Sequence, residues 1–140
     1  MCDNVQLIKN FIRIIVLVLA TLILLTGCTA ESKEEPMTEY KSVSSQEAKE
    51  LMDSEDSYII LDVRTEEEYA EGHIKNAVLI PDYEIAERAE KELTDKNQLI
   101  LVYCRSGRRS KIASDILVSL GYTNVVEFGG IIDWQYDIEK

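Results

Sequence analysis

The residues of this chain best suited to chemistry follow one apolar segment, Leu99–Tyr103. Cys104 comes directly after that segment, and Arg105, Arg108 and Arg109 lie within the next five positions. The thiolate is the nucleophilic form of cysteine, and nearby positive charge favours it over the thiol. Arginine keeps its charge at any physiological pH. The stretch therefore predicts a nucleophilic cysteine placed beside a binding site for an anion.

The positive charge of this segment contrasts with the chain as a whole, whose formal net charge is −11 at pH 7. From Asn97 to Ser114 there is no Asp or Glu. An acidic chain is poorly suited to nucleic acid or to anionic lipid head groups, so we expect neither as a partner. The local cluster of basic residues instead indicates a small anionic ligand.

The segment Cys104–Arg109 is predicted to be a loop between a strand and a helix that starts near Ser110. Gly107 permits a positive φ, which would let successive N–H groups point inward. The N-terminus of the following helix would add free N–H groups and the positive end of its dipole. The alternative is a buried, inert cysteine with arginines that merely solvate the loop. The residues predicted to bind substrate are Arg105, Ser106, Gly107, Arg108, Arg109 and Ser110.

Apolar runs of strand length alternate with helical patterns over residues 40–140, which is typical of a single small α/β domain. We expect a central, mostly parallel five-stranded sheet with helices on both faces. In such sheets ligands bind beyond the carboxyl ends of the strands, where Cys104 falls. The strand before Cys104 is the most apolar and should be central. The predicted strands are Tyr40–Val43, Tyr58–Val63, Asn76–Ile80, Gln98–Tyr103 and Asn124–Phe128.

Capping sequences mark the helix boundaries. Ser44 with Glu47, and Thr65 with Glu68, have the spacing of capping boxes, so a helix should begin after each of them. Gly121 is expected to end the helix that follows Cys104. The predicted buried positions are Ile85, Ala89 and Leu93 in one helix, and Ile112, Ala113, Ile116, Leu117 and Leu120 in the next.

The N-terminal segment has the pattern of a bacterial lipoprotein leader. Lys9 and Arg13 precede an apolar run, Ile14–Leu25, which is too short to span a bilayer as a stable anchor. The run ends in "LTGC", which resembles a lipobox with Cys28 as the lipidated residue. An ordinary secretory signal or a short uncleaved anchor is the alternative. We therefore expect a signal peptide at 1–27, a lipidated cysteine and flexible tether at 28–39, and a domain on the extracytoplasmic face of the cell membrane.

Removal of that leader would leave Cys104 as the single thiol of the domain, because Cys28 would carry lipid. A domain with one thiol has no intramolecular disulfide. With one histidine, His73, and one cysteine, a zinc or iron–sulfur site is not expected. We expect no metal and no cofactor.

Three segments of the chain resemble the signature segments of the rhodanese-like sulfurtransferase family and occur in the same order: Ile60–Pro81, Val102–Ser110 and Phe128–Trp134. The resemblance implies a compact α/β domain with a central parallel sheet. It also implies a cysteine that takes sulfane sulfur from an anion such as thiosulfate or polysulfide, forms a persulfide, and passes the sulfur to cyanide or a thiol.

By that resemblance Cys104 is the nucleophile and persulfide carrier. The N–H groups from Arg105 to Ser110 would cradle the thiolate and the transferred sulfur. Arg105 and Arg109 are the first candidates for contact with substrate, and Arg108 is the third.

Two other functions are compatible with the motif. One is a sulfane-sulfur carrier or sensor that does not turn over, because a fold does not establish activity. The other is a cysteine-based phosphatase or arsenate reductase, which uses C-x5-R. Here Arg109 comes one position too early for that pattern, and Ser110 stands in its place. The residue before the nucleophile is Tyr103, where those enzymes typically have histidine.

Two further residues, Asp62 and Arg64, are assigned supporting roles at the predicted site, and His73 and Trp134 are interpreted without one. Asp62 and Arg64 end a strand at the same sheet edge as Cys104, and they either order the loops there or form a plain surface pair. His73 is interpreted as structural, because a thiolate already ionised by its loop needs no base. Trp134 is interpreted as a core residue.

Overall fold

The structure, a computed structural model, describes residues 39–140. The predicted leader, Cys28 and nearly all of the tether lie outside the described residues. No helix within 39–140 is long and apolar enough to cross a membrane. The elements are β1 (Lys41–Ser42), α1 (Ser45–Ser54), β2 (Tyr58–Asp62), α2 (Glu66–Glu71), β3 (His73–Ile74), β4 (Val78–Leu79), α3 (Ile85–Glu92), β5 (Leu99–Cys104), α4 (Arg108–Ser119), β6 (Val125–Gly130), a 3-10 turn (Ile131–Asp133) and β7 (Ile138–Glu139).

Five strands form one sheet in the order β1-β6-β5-β2-β4, and every neighbouring pair is parallel. β5 is the middle strand, which confirms the prediction made from its apolar sequence. Leu101 pairs with Ile60 of β2 and Val126 of β6. Because all five strands run the same way, their carboxyl ends meet at one edge of the sheet, and Cys104 ends β5 at that edge.

Successive side chains of β5 pack on opposite faces of the sheet, as the strand geometry requires. Ile100, Val102 and Cys104 pack toward α3 and α4, whereas Leu101 and Tyr103 pack toward α1. All six residues of β5 are buried. The prediction of helices on both faces is confirmed, and Tyr103 and Cys104 are adjacent residues that belong to two different cores.

The helix boundaries predicted from capping sequences are confirmed. Ser44 and Thr65 cap α1 and α2, and both reciprocal capping-box bonds are present in each. Gly121, with φ of 90°, follows the end of α4. There the Gly121 N–H donates to the Val118 carbonyl and the Tyr122 N–H to Leu117, which is the Schellman arrangement.

Three details differ from the sequence-based expectation. α4 begins at Arg108 rather than near Ser110, because Gly107 turns the chain into the helix two residues earlier. Ile112 was expected in the buried stripe of α4, but it is 44% exposed. The pair of short antiparallel strands β3 and β7 was not predicted, because each has only two residues and carries no periodic signal.

Candidate functional site

Cys104 lies at the base of a short loop that joins β5 to α4. Its side chain is buried, and Sγ is 3.1 Å from the Gly107 amide nitrogen. The amide groups of Ser106 and Ser110 also lie near the sulfur and favour its charged form. Three backbone N–H groups thus converge on Sγ, two from the loop and one from the first turn of α4. A sulfur atom surrounded by N–H groups must accept several hydrogen bonds, which the sulfur of a thiolate or a persulfide does.

Gly107 makes this convergence possible. It has φ of 95° and ψ of −16°, a left-handed conformation that strains any residue with a side chain. It also occupies the N-cap of α4 without supplying a side-chain cap, so the first N–H groups of the helix remain available to a ligand. The helix dipole adds positive potential at the same place.

The ionisation of Cys104 reflects two opposing effects. Burial raises the pKa of the thiol, because it disfavours the charged form. The hydrogen bonds from the amides of Ser110, Ser106 and Gly107 act in the other direction and prevail. The pKa of Cys104 therefore lies below its ordinary value of 9.0, and a larger fraction of the sulfur is nucleophilic at neutral pH.

The loop rests directly on β6. A Cβ added to Gly130 would lie 2.1 Å from the Arg105 carbonyl oxygen and 2.6 Å from the Ser106 Cα. No side chain fits in that space. The Ile132 N–H donates to the same Arg105 carbonyl at 3.3 Å. The loop therefore contacts both the end of β6 and the turn that follows it.

The three arginines of the loop are not equivalent. Arg105 and Arg108 are exposed. Arg109 is partly buried, and its Nη1 and Nη2 donate to the two carboxylate oxygens of Glu68 at 2.7 and 2.8 Å. This bidentate pair joins α4 to α2 and orients the Arg109 guanidinium. The roles of the three arginines in substrate binding remain predictions.

Ser110, in the first turn of α4, is a fully buried neighbour of the sulfur. Its Oγ is 3.6 Å from Sγ and donates to Glu127 Oε1 at 2.7 Å. Glu127 is 2% exposed, and its other donors are the Gly129 N–H and the Ser42 hydroxyl, each at 2.8 Å. A buried carboxylate is thus one hydroxyl group away from the thiol.

Asp62 and Arg64 lie on the opposite face of the sheet from Cys104. The alternative of a plain surface pair is wrong, because Asp62 is 0% and Arg64 5% exposed. Arg64 Nη2 donates to Asp62 Oδ2 at 2.6 Å and to the Gly72 carbonyl at 2.8 Å. The Tyr103 hydroxyl donates to the same Asp62 oxygen at 2.6 Å and accepts the Ile74 N–H. This buried network fixes the strand that ends in Cys104.

His73 and Trp134 have the kinds of neighbours expected for structural residues. The His73 ring stacks on Tyr69, with 3.6 Å between centroids, and its Nδ1 is 3.0 Å from the Tyr69 carbonyl oxygen. Its Nε2 is 3.6 Å from a Glu139 carboxylate oxygen. Trp134 packs at the edge of the core on the α1 face, against Phe128.

Two grooves among the described residues lie away from this site. Two grooves of about 380 and 400 Å³ are both lined by Tyr58, Ile60 and Asn76, and neither reaches Cys104. Within residues 39–140, no group of three or more His, Cys, Asp or Glu side chains is arranged to hold a metal ion. The distinctive chemistry of the site is that of the backbone amides around Sγ.

Sequence reasoning missed three residues that shape the site: Glu68, Glu127 and Gly130. Glu68 was assigned only to a helix cap, and its long-range pairing with Arg109 had no local signal. Glu127 is the one acid in the apolar segment Val125–Phe128, and an acid in a buried strand is itself a signal of a specific partner. Gly130 lies within the segment Phe128–Trp134 but was given no role.

Comparison with known proteins identifies relatives of this chain in sequence and in structure. The family described as "Rhodanese-like domain" matches residues 44–137. The thiosulfate sulfurtransferase PspE of Escherichia coli (strain K12) is 42% identical over 73 residues, which cover 52% of this chain and 70% of PspE. The putative sulfur carrier protein YrkF of Bacillus subtilis (strain 168) is 35% identical over 105 residues, and the match covers 74% of this chain but only 56% of YrkF. A solved structure described as "rhodanese with anions from E. coli" has a TM-score of 0.57 and 38% identity, covering 60% of this chain and 99% of that chain.

Proposed function

Because this chain belongs to the rhodanese-like domain family, we propose that it transfers sulfane sulfur from an anionic donor to a thiol or cyanide through a persulfide on Cys104. Its relatives are named thiosulfate sulfurtransferases and sulfur carriers, which supports sulfurtransferase chemistry at the level of the family. Thiosulfate and polysulfide are the proposed classes of donor. The observation that carries the proposal is the convergence of three backbone N–H groups on Sγ of Cys104.

In the first step the Cys104 thiolate attacks the outer sulfur of thiosulfate. A sulfur–sulfur bond to Cys104 forms while the bond to the sulfonate sulfur breaks, and the electron pair of that bond leaves with sulfite. The persulfide carries the negative charge on its outer sulfur. The amides of Ser106, Gly107 and Ser110, which already surround Sγ, are suited to stabilise this charge.

In the second step a thiolate or cyanide attacks the outer sulfur, and Cys104 leaves as the thiolate. The same hydrogen bonds that lower the pKa of Cys104 make it a better leaving group. Arg105 and Arg108, which are exposed beside the loop, are suited to attract the anionic donor and to hold its sulfonate. The cycle needs no cofactor.

The test combines mass spectrometry with turnover. We expect the full chain, incubated with thiosulfate, to gain about 32 Da, the mass of one sulfur atom on a thiol, and to produce thiocyanate when cyanide is added. Cys104→Ser should show neither result while it keeps the thermal unfolding transition of the parent protein. Thiosulfate:cyanide activity retained in Cys104→Ser would refute the proposal.

The relation to the putative sulfur carrier protein favours a second candidate, in which Cys104 holds sulfur without appreciable turnover. Both candidates predict the persulfide adduct. Only the enzyme predicts repeated release of thiocyanate or of a thiol persulfide in excess over protein. A single-turnover burst followed by no further product would favour the carrier.

We further propose that the domain is attached to the outer face of the cell membrane through acyl chains, palmitate among them, on Cys28. The support for this is the leader pattern, with "LTGC" at the end of the apolar run Ile14–Leu25. Expression in a bacterial host with radiolabelled palmitate should label the parent chain but not Cys28→Ala. Equal labelling of both chains, or of neither, would refute the anchor.

A further inference from the structure

The buried carboxylate of Glu127 is unusual because it lies next to a cysteine whose surroundings otherwise favour negative charge. Glu127 is 2% exposed, and Ser110 Oγ connects it to Sγ through distances of 2.7 and 3.6 Å. Two negative charges so close in a buried site repel each other strongly, because the effective dielectric constant there is far below that of water. The sheet core holds Glu127 where it opposes ionisation of the thiol.

The hydrogen bonds around Glu127 fit a carboxylate. Ser110 and Gly129 donate to Oε1, and Ser42 donates to Oε2. A carboxylate only accepts hydrogen bonds, so these three donors match it. The Ser110 hydroxyl has a single proton, and the 2.7 Å contact to Glu127 is much shorter than the 3.6 Å contact to Sγ. With that proton on the Glu127 side, Ser110 presents a lone pair to the sulfur and favours the thiol over the thiolate.

The persulfide experiences less of this repulsion than the bare thiolate. Its charge is on the outer sulfur, about 2 Å beyond Sγ along the new bond. To be reached by an acceptor, the outer sulfur must point toward the loop opening and the amides, away from Glu127 beneath Ser110. The carboxylate therefore raises the free energy of the thiolate more than that of the persulfide.

We propose that Glu127 is a positioning residue that destabilises the bare Cys104 thiolate relative to the persulfide and so drives sulfur onto the cysteine. This inference rests on the proposed sulfur transfer for its persulfide half, whereas its effect on the bare thiolate stands without it. In the loading step, thiosulfate gives its outer sulfur to Cys104 and sulfite leaves. The ratio of persulfide to thiolate at equilibrium is thus set by the ratio of thiosulfate to sulfite and by the relative stability of the two sulfur anions.

Other charged groups also surround Cys104 and Glu127, and they are the same in the parent protein and in the Glu127 variants. Arg109 of α4 contacts Glu68 of α2 and interacts with both Cys104 and Asp82. Tyr40, which precedes β1, interacts with Glu127 and with Asp115 of α4. The exposed charged groups on the loop side are Arg105 and Arg108. Substitution of Glu127 leaves the charges of all of these groups in place.

The first measurement is the pH dependence of alkylation of the full chain by iodoacetamide, with no sulfur donor present. Glu127→Gln keeps the size of the side chain and removes its charge. We expect its midpoint for reaction to fall by about one pH unit, which gives about tenfold more thiolate at a pH below both midpoints. Glu127→Asp keeps the charge and should leave the midpoint closer to that of the parent. Glu87→Gln, which removes an exposed charge on α3, is the matched control and should leave the midpoint unchanged.

The second measurement is the equilibrium ratio of persulfide to unmodified Cys104 at a fixed ratio of thiosulfate to sulfite, read by mass spectrometry at a pH above both alkylation midpoints, where the unmodified cysteine is a thiolate. We expect this ratio in Glu127→Gln to be about threefold lower than in the parent, because moving the charge outward by one sulfur relieves only part of the repulsion. An unchanged or raised alkylation midpoint in folded Glu127→Gln overturns the proposal. So does an unchanged persulfide ratio.

The two proposals fail in different ways. If the parent forms no persulfide, the sulfur-transfer function fails, and the alkylation midpoints still decide whether Glu127 opposes ionisation. If the parent forms persulfide but Glu127→Gln matches it in both measurements, the function stands and the role of Glu127 is refuted. If Glu127→Gln does not fold, Glu127→Asp still tests the claim. Its shorter side chain withdraws the charge from Ser110, so its midpoint must fall by less than about one pH unit, and an unchanged or raised midpoint refutes the role.

Discussion

Two adjacent residues at the end of β5 lead into two different polar clusters. On the α1 face, Tyr103 joins the buried pair Asp62–Arg64, and the polar atoms of these three side chains are bonded to one another or to the backbone of Gly72 and Ile74. On the α4 face, Cys104 is surrounded by N–H groups that point at one sulfur, with an excess of donors over acceptors.

The difference between these clusters separates stability from reactivity. The Tyr103 cluster is closed, so removing any member leaves a buried group without a partner. The Cys104 cluster is open, because its donors are completed only by negative charge on the sulfur or on a ligand. A stable edge of the sheet on one face thus supports a reactive edge on the other.

The largest expected effect is on the closed cluster. Asp62→Asn removes the charge that compensates the buried Arg64, and breaking such a pair costs about 3–5 kcal/mol. We expect urea unfolding to show a loss of that size in the free energy of unfolding. Sulfur transfer per folded molecule should remain within about twofold of the parent, since the amides around Cys104 belong to the other face. A small change in stability with a large change in turnover would mean that the two clusters are not separate.

Gly130→Ala is the counterpart of Asp62→Asn, because it disturbs the open cluster around Cys104. The new Cβ would lie 2.1 Å from the Arg105 carbonyl oxygen, so the loop must move away from β6. A displacement of about 1 Å in a catalytic group can cost about 100-fold in rate. We therefore expect turnover of thiosulfate with cyanide to fall by about two orders of magnitude and the pKa of Cys104 to rise.

Gly121→Ala is the control for a general loss of glycine. It has φ of 90° and lies after α4, away from Cys104, where its Cβ would meet only the side chain of Lys96. It should lower the free energy of unfolding by about 1 kcal/mol through backbone strain and leave turnover per folded molecule unchanged. Similar losses of turnover in both variants would show that Gly130 has no special role in the loop.

The smallest expected effect concerns the Glu68–Arg109 pair, which borders the open cluster. The hydrogen bonds from Arg109 lower the pKa of Glu68 from 4.5 to about 2. A depressed pKa in the folded state means that the carboxylate adds stability above pH 4.5, and that this stability is lost as the pH falls from 4.5 toward 2. Because both side chains are partly exposed, the contribution should be at most about 1 kcal/mol.

Thermal unfolding of the parent and of Glu68→Gln checks this prediction. The difference in Tm between the two should be largest at neutral pH, shrink between pH 4.5 and 2, and become smaller in high salt. A difference that stays constant across this range would show that the ion pair does not contribute.

The sequence was sufficient for the parts of this molecule that depend on local patterns. The apolar run before Cys104 identified the central strand, and the capping boxes at Ser44 and Thr65 located two helices within a residue. The position of Cys104 at a strand end, followed by Gly107, was enough to predict the cradle of amides. In each case the residues that determine the feature lie in one short segment of the chain.

The parts that were missed depend on residues far apart in sequence. Glu68 meets Arg109 and Glu127 meets Ser110 only after the sheet has formed. Asp62 and Arg64 are buried because Tyr103 and the backbone of Gly72 pack against them. The sequence of the strand alone does not reveal these contacts. The early start of α4 reflects the turn at Gly107, whose effect on the helix boundary was underestimated.

The support of the loop by Gly130 has a consequence for the newly made chain. Cys104 leaves the ribosome before Gly130 and Glu127 do, and until β6 docks nothing holds the amides of Ser106 and Gly107 against the sulfur. During that interval the cysteine is an ordinary, mostly protonated thiol. Its reactivity is acquired with the last strand of the sheet, so an unfinished or truncated domain would lack the ionised sulfur on which the proposed transfer depends.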